Sequence, residues 1–176
     1  MIPIKGHEVL LRSFAEIHQR FPDIVCDIIG DGPEFPRLKT LATNLGLNQA
    51  VRFHGRRDRH EVAEAMRRSL LFALPSKYEG LGCVYLEAMA TAKATIGCRG
   101  QGIDEVIEHG VNGWLVPPDG QRELTAALAE LAENRLLRHE IGEAARRTVL
   151  RDFTTSRQAE NLVEIYREFG RGAKKV

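Results

Sequence analysis

The sequence predicts an α/β domain, a Rossmann-like parallel sheet with helices on both faces, followed by helices alone. Two observations predict it. Short β-branched runs alternate with longer amphipathic ones as far as Pro118, and beyond Pro118 only helical spacing remains. Strands separated by helices pair in parallel, because each crossover returns the chain to the same end of the sheet. At 176 residues the chain suits one domain with a proper core.

Taken in order, a helix follows Gly6, with Val9, Leu10, Phe14 and Ile17 on one face. Strands are expected over Ile24–Ile29, Ala50–His54, Leu70–Leu74, Ala94–Cys98 and Trp114–Val116. Helices are expected after Pro33, over His60–Arg68 and Cys83–Lys93, and as a short piece near Ile103–His109. The closing helices are expected over Glu123–Glu133, Leu136–Leu150 and Thr155–Phe169. Asp119 serves as N-cap of the first of these and Thr154 or Thr155 as N-cap of the last. Asn112-Gly113 reads as a β-turn. The tail Gly170–Val176 is expected to fray. Met1 to Ile4 run straight into Lys5-Gly6-His7 and a helix, with no room for the strand that should feed it. The chain is therefore expected to be a piece of a longer protein.

Composition excludes several classes. A formal net charge of +1 gives no global field toward nucleic acid or an acidic membrane. Cys26, Cys83 and Cys98 are odd in number and lack CxxC spacing, which argues against a disulfide framework or a zinc site. No apolar run approaches the ~20 residues of a membrane span, and no signal peptide opens the chain. The expected setting is the reducing cytoplasm, with peripheral membrane contact left open through a preceding domain.

Ligands of such sheets bind where strands end and helices begin. The run from Leu74 to Ala90 has that layout: a strand ending at Pro75, a loop with Gly80 and Gly82, and a helix opening near Gly82. The amides of Gly82, Cys83 and Val84 would point out of the helix start, where the dipole favours a diphosphate. Glu79 lies just before them, and Glu87 one turn beyond Cys83, ~6 Å along the axis. A sugar on one side of the diphosphate and a ribose on the other would reach these carboxylates. Taken alone, two glutamates at this spacing read equally as solvated surface charges.

The run Glu79 to Ala90 resembles the E-x7-E segment of retaining GT-B glycosyltransferases of group one (family four). Four further elements occur in the family's order. Lys5-Gly6 looks like the family's Lys-Gly element, Gly30-Asp31-Gly32-Pro33 like its G-D-G-P turn, and Val51-Arg52-Phe53-His54-Gly55 like its V-x-F-x-G strand. Glu105-Val106-Ile107, with Gly110-Val111-Asn112-Gly113-Trp114-Leu115-Val116-Pro117-Pro118, looks like its close.

The resemblance implies that residues 1–176 are the nucleotide-sugar-binding C-terminal domain of such an enzyme. It implies a UDP-, GDP- or ADP-sugar as donor, no cofactor, and no nucleic-acid partner. Lys5 would neutralise the diphosphate, and Glu79 would bind donor-sugar hydroxyls beside the Gly80-Leu81-Gly82 loop. Glu87 would hold the ribose, Gly55 and Arg56 would lie near the base, and Gly32 would border the nucleotide pocket. Without the resemblance, Lys5 reads as an exposed lysine at a helix start and Gly30–Gly32 as a plain turn. Two departures stand out. The family's Gly and Pro around the lysine after the E-x7-E helix are replaced by Ala92-Lys93-Ala94. The family's second diphosphate-binding residue, an arginine about six residues before the lysine, lies outside this chain, as does the N-terminal acceptor domain.

The sequence contains no Asp-x-Asp triplet, so a metal bridge to the diphosphate has no obvious ligands and transfer is expected to be metal-independent. The family resemblance implies hexosyl transfer with retention at the anomeric carbon. The six histidines are scattered and read mostly as surface residues, His54 lying beside the pocket only by position. A stand-alone binding module without catalysis is the alternative, and the fragment by itself is expected to bind donor without turnover. A sugar-nucleotide epimerase of the same architecture would need acid/base residues facing the anomeric carbon. A phosphate-receiver domain would need an acidic cluster at a strand end, which is not seen.

Overall fold

A computed structural model describes residues 1–172. After a 3-10 turn at Pro3–Lys5, the elements are α1 (His7–Arg20), β1 (Cys26–Ile29), α2 (Phe35–Asn44), β2 (Val51–Gly55), α3 (Arg59–Arg68) and β3 (Leu71–Ala73). Then come α4 (Cys83–Ala90), β4 (Ala94–Cys98), a 3-10 turn at Gly102–Glu105, β5 (Trp114–Val116), α5 (Gln121–Glu133), α6 (Arg135–Asp152) and α7 (Thr155–Gly172). The expected alternation and the all-helical close are both present. All strand pairs are parallel, but they form two sets, β1-β2 and β3-β4-β5, rather than one continuous sheet.

β4 shows why helices cover both faces. All five of its residues are buried. Ala94, Ile96 and Cys98 point into one core with Leu11, Phe14 and Ile17 of α1 and Leu124, Leu128 and Leu131 of α5. Gly97 points the other way, under Tyr85 and Ile103, into a second core that Met89 of α4 and Val149 of α6 complete. Each fully buried leucine or isoleucine in these clusters contributes about 1.5–3 kcal/mol.

Several element ends differ from expectation for identifiable reasons. The helix expected over Cys83–Lys93 stops at Ala90, because Ala92 turns into the left-handed region at φ 57°. The short helix near Ile103–His109 is only the 3-10 turn Gly102–Glu105. Asp119 does not cap α5. Its own φ is 59°, its carboxylate pairs with Lys77 at 2.7 Å, and Gly120 takes the cap position without a side-chain bond. Thr154 does cap α7, its Oγ1 accepting from the Arg157 amide at 3.2 Å. Asp58 and Glu61 form a capping box at the start of α3, which begins one residue ahead of the expected His60. Asn112 is more than a turn residue. It is buried, accepts from the Glu108 amide at 2.7 Å, and donates to Thr148 Oγ1 on α6 at 3.1 Å. The tail expected to fray from Gly170 stays helical through Gly172, and residues 173–176 lie outside the described residues. Among the described residues no helix is long and apolar enough to cross a membrane.

Candidate functional site

The site is assembled by the chain's first residues. Gly6 sits at φ 71°, and a Cβ there would lie 2.0 Å from the Pro75 carbonyl oxygen. Only glycine lets the backbone pass Pro75 this closely. Two bonds then tie the segment to the β3–α4 loop: Lys77 N–H donates to the Ile4 carbonyl at 2.7 Å, and the Ser76 hydroxyl donates to it at 3.1 Å. This docking carries Lys5 to Glu79, where Nζ donates to Oε1 at 2.5 Å. The two side chains are 30% and 15% exposed, which makes the pair a partly shielded one.

The loop carrying Glu79 is gripped from the far side by residues with no recognisable motif. The Glu79 amide donates to Gln101 Oε1 at 3.1 Å, and the Gly102 amide donates to the Glu79 carbonyl at 3.3 Å. A Cβ on Gly102 would lie 1.8 Å from the Gly80 carbonyl oxygen, so the two backbones touch. Below, the buried Tyr85 donates its hydroxyl to the Leu74 carbonyl at 2.7 Å. Gly82, at φ 69°, is the N-cap of α4 and offers no side-chain cap. Among the described residues the amides of Gly82, Cys83 and Val84 have no partner. An uncapped helix start of this kind attracts an anion.

Lys5, Arg56, Glu79, Val84 and Glu87 all border one cleft of about 520 Å³. Gly80, Leu81 and Cys83 lie exposed on the loop and helix start beside it. Gly55 accepts from the Gly30 amide at 2.8 Å and stands behind the cleft rather than on it. Gly30 lines the cleft, whereas Gly32 packs against Met1, whose nitrogen would be 2.0 Å from a Cβ added there. His54 stands apart and pairs with Asp27 at 2.6 Å. His60, His109 and His139 are exposed as expected, whereas the Nδ1 atoms of His7 and His18 are buried and have no hydrogen-bond partner among the described residues. His7 lines the cleft, and burial, aided by the positive charges of the Met1 amino group and Lys5, lowers its pKa to about 4. Sequence reasoning missed His7, Gln101 and Gly102, because their partners come from elements far along the chain. No group of three or more His, Cys, Asp or Glu is placed to hold a metal ion among the described residues.

These features define a class: α/β domains that receive an anionic ligand outside the carboxyl ends of their strands. Residues 1–148 match the family described as "Glycosyl transferases group 1", and the chain belongs to that family. One relative is the alpha-D-kanosaminyltransferase of Streptomyces kanamyceticus, 32% identical over 166 residues that cover 94% of this chain and 43% of that protein. Another is the N-acetyl-alpha-D-glucosaminyl L-malate synthase of Bacillus anthracis, 34% identical over 162 residues, 89% of this chain and 42% of that one. The chain spans less than half the length of either relative. Among solved structures, Anabaena HepE in complex with UDP superposes with a TM-score of 0.87 at 27% identity, covering 95% of this chain and 46% of HepE. HepE with UDP-glucose gives 0.83 at 29%, covering 93% and 46%. The C-terminal domain of Francisella tularensis LpcC shares the fold, with a TM-score of 0.82 at 24% identity over 88% of this chain and 83% of that one.

Proposed function

We propose that this chain is the donor-binding half of a glycosyltransferase. It binds a nucleoside diphosphate-sugar, and the longer protein transfers the sugar, with retention of anomeric configuration, to an acceptor held largely by a preceding domain. The observation that carries this reading is the free α4 start, flanked by Glu79 and Glu87 on the rim of one cleft with Lys5 opposite. A diphosphate at those amides would draw the Lys5 ammonium toward itself and free Glu79 to accept bonds from sugar hydroxyls. Lys5 and the amides would then stabilise charge on the departing diphosphate. Glu87, on the outer side, would take the ribose hydroxyls, with Arg56 toward the base.

The HepE complexes with UDP and UDP-glucose support uracil as the first base to test. Calorimetry with UDP, GDP and ADP, then with their sugars, is the direct experiment. Binding of at least one nucleoside diphosphate without turnover on simple acceptors is expected. No binding to any of the three would end the donor reading.

A further inference from the structure

The amino ends of β3 and β4 lie at the opposite edge of the sheet from the rim that carries Glu79. Leu70 precedes β3 and Lys93 precedes β4, whereas Glu79 follows β3 on the way to α4. The five residues of β4 put about 16 Å between the two edges. Between those amino ends and the start of α6 is a hollow of about 520 Å³, lined chiefly by Leu70, Lys93, Arg135, Leu136, Arg138 and His139.

Its charge is one-sided. Three cations and an imidazole line it, and no carboxylate does. Three other hollows mix cations with acids: Glu79 and Glu87 in the cleft, Glu8 and Glu34 beside α1, Asp27 and Glu64 beside β1. Local structure accounts for only one of the three cations. Arg138 closes α5, its Nη1 donating to the Leu131 and Ala132 carbonyls at 2.5 and 3.1 Å. That fixes the guanidinium and leaves its Nε and Nη2 without a partner among the described residues. Lys93 and Arg135 have no such duty, and among the described residues neither forms an ion pair.

The placement is unfavourable without a counter-ion. α6 has no acid in its first turn, and Arg135 and Arg138 stand there against the positive end of its dipole. Lys93 is half-buried, and its pKa is lowered first by burial and then by Arg138. The pKa of Arg138 is lowered in turn by burial and then by Arg135. An anion among the three would relieve each of these effects.

We propose that this hollow is a second anion site, separate from the cleft, for a phosphate monoester carrying two negative charges. A single carboxylate would leave most of the positive charge unbalanced. The pinned Arg138 presents Nε and Nη2 side by side, a match for two phosphate oxygens, with Lys93 and Arg135 converging on the remainder. Leu70 and Leu136, 47% and 67% exposed, flank the cations and suit an apolar group attached to the phosphate. A soluble phosphate ester and a lipid headgroup share this chemistry. None of the residues that carry the donor reading lines the hollow, so the inference does not rest on it.

NMR titration of the chain with inorganic phosphate tests the site, with sodium chloride at matched ionic strength as the reference. The amides of Lys93, Arg135, Arg138 and His139 are expected to shift and saturate with phosphate, independently of any response at Cys83 and Val84. Lys93→Gln combined with Arg135→Gln leaves the Arg138 cap in place. It should weaken the response at least about tenfold while leaving UDP affinity unchanged. Sedimentation with phosphatidylcholine vesicles containing phosphatidic acid distinguishes the two sources. Vesicle binding that the double variant loses assigns a lipid headgroup, and a phosphate response without vesicle binding assigns a soluble ester. Equal shifts in chloride, or shifts confined to the cleft with no vesicle binding, would overturn the proposal. So would full phosphate or vesicle binding by the folded double variant. The shift map of the parent chain decides the matter even if that variant does not fold, and a variant that loses UDP affinity would overturn the separation from the cleft.

Discussion

Lys5 and Glu79 stand 74 positions apart in sequence and satisfy each other's charge at the edge of the cleft. Glu79 was legible from its place just before the glycine loop and the helix start, and Lys5 only through the family resemblance; their pairing was legible from neither. The residues between them enter the contact only through the fold. Among the described residues Glu87 has no such partner, and it faces the same cleft from the exposed side of α4. Replacing it tests the ribose assignment with little disturbance to the core. Glu87→Ala should weaken nucleoside diphosphate binding by about 1–3 kcal/mol, the usual cost of losing hydrogen bonds to a charged group. Calorimetry reads this directly, and an unchanged Kd would misplace the ribose.

At the scale of elements, the exit from α4 matters as much as the helix itself. Ala92 holds φ 57°, a conformation that costs an L-residue about 1–2 kcal/mol, to turn the chain from α4 into β4. α6 packs so closely there that a Cβ on Gly142 would lie 2.2 Å from the Ala92 carbonyl oxygen. Ala92→Gly should therefore raise stability by about 0.5–1 kcal/mol, visible as a higher urea midpoint at unchanged slope. The loop before α4 gives the opposite test. Gly102→Ala must displace the Gly80 backbone, so UDP affinity should fall at least about tenfold, with a stability loss within about 1–3 kcal/mol. Retained affinity would show that the Gln101–Gly102 grip is irrelevant to the site. Periodicity and glycine placement made α4 readable, whereas its early end and the grip on its loop depend on packing against residues distant in sequence.

Across the fold as a unit, His7 supplies one pH-dependent contribution to stability. Its pKa is near 6.5 when unfolded and about 4 when folded, chiefly because the ring is buried and secondarily because Met1 and Lys5 are positive. The folded state thus binds fewer protons between these values. The neutral-His7 contribution is complete above about pH 6.5 and is lost as pH falls toward about 4, a difference on the order of 2–3 kcal/mol. His7→Gln should flatten that part of the profile relative to the parent chain, as urea titrations at neutral and mildly acid pH would show. A profile that does not change would mean the ring is hydrated. The order of strands and helices and the Glu79-to-Glu87 loop and helix start were legible in local spacing, the short piece near Ile103 excepted, because helical and strand periods and turn residues act over a few positions. Tertiary structure alone decided that Lys5 meets Glu79, that Gly102 rests on Gly80, that His7 is buried, and that the strands fall into two sets. Each of those outcomes depends on which distant segments pack together, and local spacing carries no record of that.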